Sequence, residues 1–363
     1  MAGTKRRPTV FDVAAMAGVS IASVSFVLNA RDAEMRITEE TRQKILGAVE
    51  ALGYRPNASA RELRTQRSHL LAMSIHDIQN HFYSALAVAV QEEAAAAGYD
   101  LIIFNTGHRP DREQAFLNTV LRRRVDGVIT SSALTGGAET LDPLVRADVP
   151  LVALSNIHAE FHPQVDYLVN DDSRAAENAV RHLIELGHRR IGHLGGPRTL
   201  RVGRSRLEGY RAALAGAGLP IDPALEVEGT LMAHGSAEAG LLLLDAQPPP
   251  TAIFCANDAM ALQVHFIIRQ RGLRMPDDVA LVGFDDVREA TQVDPPLTTV
   301  ANRSDEVGVQ AVKLLVERMA MGRDQPGRIV ERALPLITRE STLGRSRTPT
   351  RRQAIGVPNA FLD

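Results

Sequence analysis

The stretch that decides the fold is Thr9-Val10-Phe11-Asp12-Val13-Ala14-Ala15-Met16-Ala17-Gly18-Val19-Ser20-Ile21-Ala22-Ser23-Val24-Ser25-Phe26-Val27-Leu28-Asn29. Val10, Val13, Ala14 and Ala17 recur at helical spacing, so one face of a short helix is apolar. Gly18 breaks the pattern where a tight turn needs positive φ. Ser20 is a good N-cap for a second helix, with Val24, Val27 and Leu28 on its inner face. Two short helices joined by a glycine-containing turn fit helix-turn-helix geometry, which carries the first turn of the second helix into a DNA major groove. Thr38-Glu39-Glu40-Thr41-Arg42 opens a third helix running to Leu52, with a threonine cap and two acids where the helix dipole favours them. Its apolar stripe reads Ile45, Leu46, Val49 and Leu52. Three such helices suffice to bury a core around the turn, although the pattern alone also fits a generic small bundle.

Charge is unevenly distributed. Residues 1–67 hold eleven Lys/Arg against seven Asp/Glu, while the whole chain has a net charge of -2. A basic head on an acidic body suggests a polyanionic partner for the head alone. A chain of 363 residues is long enough for two or three domains, and with no Trp its cores must come from Ala, Leu, Val and Ile. Cys255 is the only cysteine, which excludes an intrachain disulfide and a cysteine-based metal site. Lys5-Arg6-Arg7 is not followed by the apolar segment of a secretory signal. No apolar run approaches the roughly 20 residues that span a bilayer. The expectation is a cytoplasmic protein without a membrane partner.

From His69 onward, short apolar runs alternate with helical stretches. Leu70–Ile75, Leu101–Phe104, Val125–Thr130 and Val149–Leu154 read as strands; Phe82–Ala97 and Asp111–Arg124 read as helices. The alternation restarts with a helix from Asp172 to Leu186, closed by Gly187. Strands Arg190–Leu194, Thr251–Cys255 and Val279–Phe284 then alternate with helices Arg204–Ala217 and Asn257–Arg271. A helix over Ser304–Met321 and a strand near Ile329–Leu336 complete the body. This α/β alternation predicts parallel sheets covered on both faces, in two similar halves. Ligands in such folds bind at the carboxyl ends of the strands.

Four segments, "VFDVAAMAGVSIASVSFVLN", "TEETRQKILGAVEALGYRPNASARELR", "LGHRRIGHLGGP" and "LVGFDD", occur in this order. They closely resemble the lactose/galactose-repressor family of bacterial transcription regulators, from about Thr9 to Ser341. The resemblance implies a helix-turn-helix domain over 1–56, a hinge helix and linker over 57–68, and a two-lobed body over 69–343 like a periplasmic binding protein. Residues 344–363 would be a basic tail without a core. Ile21 and Ala22 fall at the positions that read base edges. Both are apolar, so they suit thymine methyls and not bidentate hydrogen bonds. Phe26 departs from the family, which usually places Arg or another polar group there. Thr9, Ser20, Ser23, Ser25 and Asn29 fall where the family sets register on phosphates and neighbouring bases. The connection from Asn29 to Ile37 is longer than usual, so Arg36 and its neighbours would meet the backbone differently. Tyr54 ends the head. The match at Asn57, Ala60 and Leu63 implies a hinge helix that forms on DNA beside that of a second subunit. Leu63 would be the wedge in the minor groove. Residues 1–7 are either an arm that touches phosphates or an inert tail.

The resemblance also places an effector in the cleft between the lobes. Arg206 matches the family's most recurrent effector-contacting arginine, with Arg204 beside it. Asp77, His81 and Phe82 follow the first strand; Asn156, Asp171, Asn257, Asp258 and Asp285 are further candidates. Carboxylates, amides and an aromatic face together suit a polyhydroxylated ligand. Leu297-Thr298-Thr299-Val300 resembles the return crossing to the first lobe. The reading is an allosteric regulator, most simply a repressor, that binds a palindromic operator as a homodimer and answers to a sugar-like molecule. No cofactor or metal is called for. The alternatives are a doubly wound enzyme or a ligand-binding receptor. Gly-x-Ser-x-Gly, a phosphate-cradling loop with Lys-Ser/Thr and His-Glu-x-x-His are absent from the sequence, against the enzyme. The head and the missing signal segment count against the receptor.

Overall fold

A computed structural model describes residues 8–29, 37–55, 67–107, 109–123, 125–131, 137–233, 235–321 and 325–344. The chain divides between Ser68 and His69 into two units, a head and a body. Residues 1–7, Arg36 and its loop, Asn57, Ala60, Leu63 and the tail beyond Gly344 lie outside the described residues, as does the Asn29 side chain.

Among the described residues of the head there are three helices: α1 Val10–Ala17, α2 Ile21–Asn29 and α3 Glu39–Leu52. Their ends are fixed locally. The Thr9 backbone N–H and hydroxyl both donate to the Asp12 carboxylate, at 2.7 and 2.8 Å. Gly18 closes α1 at φ 67° and returns its N–H to the Ala14 carbonyl, a turn that a side chain would strain. Ser20 caps α2 by accepting from the Ser23 N–H at 3.1 Å. Thr38 caps α3 in the same way through the Thr41 N–H at 3.3 Å. Val13, Ala14, Val24, Ile45 and Ala48 form the buried core, with Tyr54 packed at its margin. Leu46 is a correction to the expected stripe: it is 40% exposed. The inner row of α3 runs through 45, 48, 49 and 52, and one residue further round points away.

The body holds two six-stranded sheets. The first contains β1 Leu70–Ile75, β2 Asp100–Asn105, β3 Gly127–Thr130, β4 Leu151–Asn156 and β5 Asp166–Asn170. The second contains β6 Ile191–Gly195, β7 Glu226–Glu228, β8 Ala252–Cys255, β9 Ala280–Asp285 and β10 Thr298–Ala301. The chain then returns, adding β11 Ile329–Arg332 to the first sheet beside β5, and ends with β12 Leu336–Ile337 in the second. The orders are β11-β5-β4-β3-β1-β2 and β12-β10-β9-β8-β6-β7. All pairings are parallel except that of β12 with β10. Central strands such as β3, β8 and β9 are buried along their whole length, because helices cover both faces.

Those helices are α4 His81–Ala96, α5 Pro110–Arg123, α6 Asp142–Arg146, α7 Asp172–Glu185, α8 Arg201–Gly216, α9 Ala237–Leu244, α10 Asp258–Gln270, α11 Ser304–Met321 and α12 Glu340–Leu343. Two glycines let helices approach closely. A Cβ on Gly209 of α8 would lie 2.1 Å from the Ser173 carbonyl of α7, and one on Gly308 of α11 would lie 2.7 Å from Ala89 of α4. Among the described residues no single helix is long and apolar enough to cross a membrane.

The expected elements are present with shifted ends, and the sequence reading passed over β5, β7, α9 and α12. β7 is three residues of edge strand flanked by acids, and β5 opens on a charge, so neither shows as an apolar run. The single strand expected near Ile329–Leu336 is two strands in different sheets. Residues 298–301 are strand β10 itself, so the crossing lies just beyond them, at Asn302 and Arg303.

Asp166 explains how β5 starts on a buried charge. It has 0% exposure and is held by Arg318 of α11, by the Arg328 backbone N–H at 2.8 Å and by the Arg328 side chain at 2.7 and 3.1 Å. Burial pushes this carboxyl up, but the two guanidiniums and the N–H outweigh it and hold the pKa below the ordinary carboxylate value. The stabilisation is therefore present above that ordinary value and fades as pH falls through the lowered one. Asp166→Ala strands Arg318, only 7% exposed, without its carboxylate. We expect a loss of about 3–5 kcal/mol, read as a lower denaturation midpoint of the body.

Candidate functional site

A cavity of about 420 Å3 lies between the two sheets. Its lining comes largely from strand carboxyl ends, as the parallel topology dictates. His76 and Asp77 follow β1, Ser131 follows β3, and Asn156 and Asn170 end β4 and β5. Across the gap, Asn257 follows β8, Asp285 ends β9, Asn302 follows β10, and Arg204 and Arg206 stand on α8.

Arg206 is the floor of this cleft and is 5% exposed. Its Nη2 lies 3.8 Å from Asp172 Oδ1 and 3.7 Å from Asp285 Oδ1. Its Nη1 donates to the Ala256 carbonyl. The guanidinium carbon sits 3.6 Å from the centroid of the Phe284 ring, a cation–π contact in a dry setting. A buried cation needs such neutralisation, and here three separate segments supply it. The backbone at Asp285 and Asp286 stands at φ 115° and 56°, a conformation that costs energy for residues with side chains. Neighbours hold it there. Arg339 donates to Asp286 Oδ1 at 2.6 Å, and the Val287 N–H donates to Asp258 at 2.9 Å.

Four buried polar atoms along the lining have no hydrogen-bond partner among the described residues: Ser131 Oγ, Asn156 Nδ2, Asp172 Oδ1 and Arg206 Nε. Buried polar atoms are ordinarily satisfied, so a cluster at one cavity signals a partner that arrives from outside. Phe82 and Tyr83 add aromatic faces, in edge contact at 5.2 Å. Burial pushes the Tyr83 phenol upward, as do the carboxylates of Asp285, Asp172 and Asp77, while Arg206 pulls it back. The phenol is a neutral donor at ordinary pH.

Asp77, Phe82, Asn156, Arg204, Arg206, Asn257 and Asp285 thus come together at the lining. His81, Asp171 and Asp258 do not. His81 Nδ1 lies 2.8 Å from Glu289, which belongs to the other lobe. Asp171 caps α7 through the Arg174 N–H at 2.9 Å and lies 3.5 Å from His158 of the opposite lobe. These two side chains link the lobes beside the cleft. Asp258 is enclosed behind the floor, where Thr299 donates to it at 2.7 Å. Burial and Asp285 raise its pKa well above the usual carboxylate value.

The sequence reading missed Asp172 and a knot at the crossings. Two adjacent acids open α7; Asp171 takes the cap, so Asp172 turns to the cavity. Asn170, Asn302 and Arg332 sit at the three places where the chain passes between lobes. Arg332 donates to Asn170 Oδ1 at 3.3 Å, to Asn302 Oδ1 at 3.2 Å and to the Asn302 carbonyl at 3.1 Å. Asn302 in turn donates to Asp285 Oδ1 at 3.4 Å, which joins the crossings to the floor. Polar residues directly after strands were the available signal.

In the head, Ile21 is 41% exposed and Ala22 is also exposed at the start of α2. Ser23, Ser25 and Phe26 are half-buried. The Ser20 and Ser23 hydroxyls lie 2.9 Å apart, and the Thr9 hydroxyl is engaged by Asp12. No group of three or more His, Cys, Asp or Glu among the described residues could hold a metal ion.

Residues 9–57 match the family described as bacterial regulatory proteins, lacI family, and residues 180–342 match a periplasmic binding protein-like domain. Catabolite control protein A of Priestia megaterium is 36% identical over 312 residues, spanning 86% of this chain and 92% of that protein. The chain belongs to the lacI family. This lacI-family chain is also 34% identical over 321 residues to the ribose operon repressor of Escherichia coli (strain K12), covering 88% of this chain and 96% of that one. Among solved structures, the Lac repressor dimer bound to operator and the anti-inducer ONPF aligns with a TM-score of 0.77 at 26% identity, over 93% of this chain and 99% of that one. The CelR–cellobiose complex aligns at 0.66 and 31% identity, over 92% and 100%. The protein is a DNA-binding transcriptional regulator with an allosteric effector-binding body.

Asp285 sets a pH dependence for the lacI-family cleft. Burial raises its pKa to about 6; Arg206 and the Asn302 amide pull it down, and Asp172 pushes it up. The raised value means the folded body keeps this proton to higher pH than the unfolded chain does. The associated stability is full below the ordinary carboxylate value and lost as pH rises through about 6. A ligand hydroxyl that donates to the carboxylate favours the ionised form. Effector affinity should rise with pH up to just above 6 and then level off. Calorimetric titration across this range should show the dependence in the native protein and its loss in Asp285→Asn.

Proposed function

We propose that this regulator is a repressor that binds an imperfect palindromic operator as a homodimer. A small polyhydroxylated molecule, a sugar or sugar derivative, occupies the cleft and sets operator affinity. The observation that carries this reading is the set of buried polar atoms around Arg206 that have no hydrogen-bond partner among the described residues, in a body joined to a lacI-type head. Donors, acceptors and aromatic faces share the cavity lining, as the vicinal hydroxyls and apolar faces of a sugar require. A related structure supports the class: the CelR regulator was solved as a cellobiose complex.

In this reading the head is residues 1–56, the hinge 57–68, the effector body 69–343 and a tail 344–363. Ile21, Ala22 and Phe26 face bases; Thr9, Ser20, Ser23, Ser25, Asn29, Arg36 and Tyr54 set register on the backbone; Asn57, Ala60 and Leu63 form the hinge and wedge. The effector changes the placement of the two lobes, with the Asn170–Asn302–Arg332 knot as pivot. A coupling of about 1–3 kcal/mol would change operator affinity 5–150-fold. The regulator works in the cytoplasm, and no enzymatic step is assigned, in keeping with relatives named as control proteins and repressors.

A thermal-shift panel of sugars, sugar phosphates, polyols and nucleosides tests the ligand class. A true effector at about 100 times its Kd should add roughly 2.7 kcal/mol. Arg206→Ala should abolish that shift and the effector response in a DNA-binding assay, while binding to effector-free operator persists. No sugar-class hit, or an unchanged response in Arg206→Ala, would overturn the reading of the cleft.

The dimer has a candidate surface on the body. Edge strand β2 exposes Ile103, and α4, packed along it, exposes Val88 at 55%. A related repressor was solved as a dimer. Val88→Asp should shift the protein toward monomer in sedimentation and weaken operator binding in parallel; an unaltered dimer would move the interface elsewhere.

A further inference from the structure

Before Asn29 closes it, the reading helix carries none of the side chains that make bidentate hydrogen bonds to base edges. Residues 21–28 are Ile-Ala-Ser-Val-Ser-Phe-Val-Leu. Arg, Lys, Asn, Gln, Asp and Glu, the types suited to strong base-edge contacts, are all missing from this run. Val24 has 0% exposure, and Val27 and Leu28 pack on the head's core, so they cannot face DNA. Ser23 is tied to Ser20, with the two hydroxyls 2.9 Å apart. What remains toward solvent in the first turn is Ile21, at 41% exposure, and Ala22. Phe26 lies one turn beyond Ala22 on the same face and is half-buried.

An exposed isoleucine and alanine at the start of a reading helix, followed by a phenylalanine, form an apolar surface. In the major groove the one apolar group on a base edge is the C5 methyl of thymine. We propose that this regulator reads its operator in the major groove through thymine methyls packed on Ile21, Ala22 and Phe26. Each half-site is then specified by where methyl groups stand and not by a pattern of base hydrogen bonds. The proposal rests on the DNA-binding reading above. The serine and threonine hydroxyls around the patch contribute single contacts that set register.

The chemistry makes a sharp distinction. Uracil keeps every hydrogen-bonding group of thymine and lacks only the methyl. Burying one such methyl is worth about fourfold in affinity, and roughly fifteenfold when both half-sites lose it. A 5-methylcytosine·guanine pair restores the methyl at the same place while changing the hydrogen-bonding groups.

The test uses the full-length protein. Tight-binding duplexes are selected from a random pool, and each thymine of the selected site is replaced in turn by uracil. The same positions are then tried as 5-methylcytosine·guanine and cytosine·guanine. We expect a loss of about fourfold per methyl at one to three positions of each half-site, and a preference for 5-methylcytosine over cytosine at those positions. Ile21→Ala should erase the thymine-over-uracil preference at one of them, with non-specific binding unchanged; the exposure of Ile21 keeps the head's core out of the comparison. A selected site that binds within twofold of its original affinity with uracil throughout overturns methyl readout and leaves the DNA-binding reading standing. A preference untouched by both Ile21→Ala and Phe26→Ala also overturns it. If no duplex is selected above the non-specific level, both readings fall together.

Discussion

The body is organised around one buried positive charge. Arg206 sits almost without solvent and is satisfied by Asp172 at the start of α7, Asp285 at the end of β9 and the Ala256 carbonyl after β8. These segments are distant in sequence, and each must arrive for the guanidinium to be tolerated. Removing one would leave an uncompensated charge in a medium that cannot screen it. The same arrangement leaves Arg206 Nε and Asp172 Oδ1 without a hydrogen-bond partner among the described residues, on side chains that line a cavity. One constraint therefore both assembles the second lobe and leaves the chemistry of the cleft unfinished.

Parallel sheets explain why the unfinished chemistry gathers in one place. Every strand of a parallel sheet delivers its carboxyl end to the same edge, so the two sheets each present a row of polar loop residues to the cleft. The chain passes between the lobes three times, and Asn170, Asn302 and Arg332 tie these passages together. Through Asn302 and Asp285 the knot reaches Arg206. A ligand that engages Asp285 or Arg206 would act on the network that also ties the crossings, a physical route from occupancy to lobe placement. His81 and Asp171, each in contact with the facing lobe, add links at the rim.

Much of the fold was legible because local rules and global structure agree. Gly18 at positive φ, Ser20 and Thr38 as caps, and the apolar row of α3 follow from residue chemistry alone. Elements escaped the reading where tertiary contacts replaced a local signal. β5 opens on Asp166, which is stable in a core strand only because Arg318 and Arg328 arrive from beyond residue 317. Leu46 reads as part of the stripe because it is apolar, yet the buried row of α3 runs through Ala48 instead. Asp258 and Asp285 both follow the ends of strands, and nothing in the sequence shows that one is sealed behind the floor while the other faces the cavity.

The sequence by itself determined the helix-turn-helix head, the alternation that makes two parallel sheets, the family, and Arg206 as the central cleft residue. These depend on periodicity, caps, glycines and motifs, which act over a few residues and leave a readable trace. Only the tertiary structure decided which acid faces the cavity, which buried polar groups lack a hydrogen-bond partner among the described residues, and how the three crossings are joined. Those outcomes depend on side chains far apart in the chain meeting in a medium of low polarity. There the choice between Asp171 and Asp172, or between a link across the lobes and a place on the cavity lining, turns on a few ångströms that no local pattern encodes.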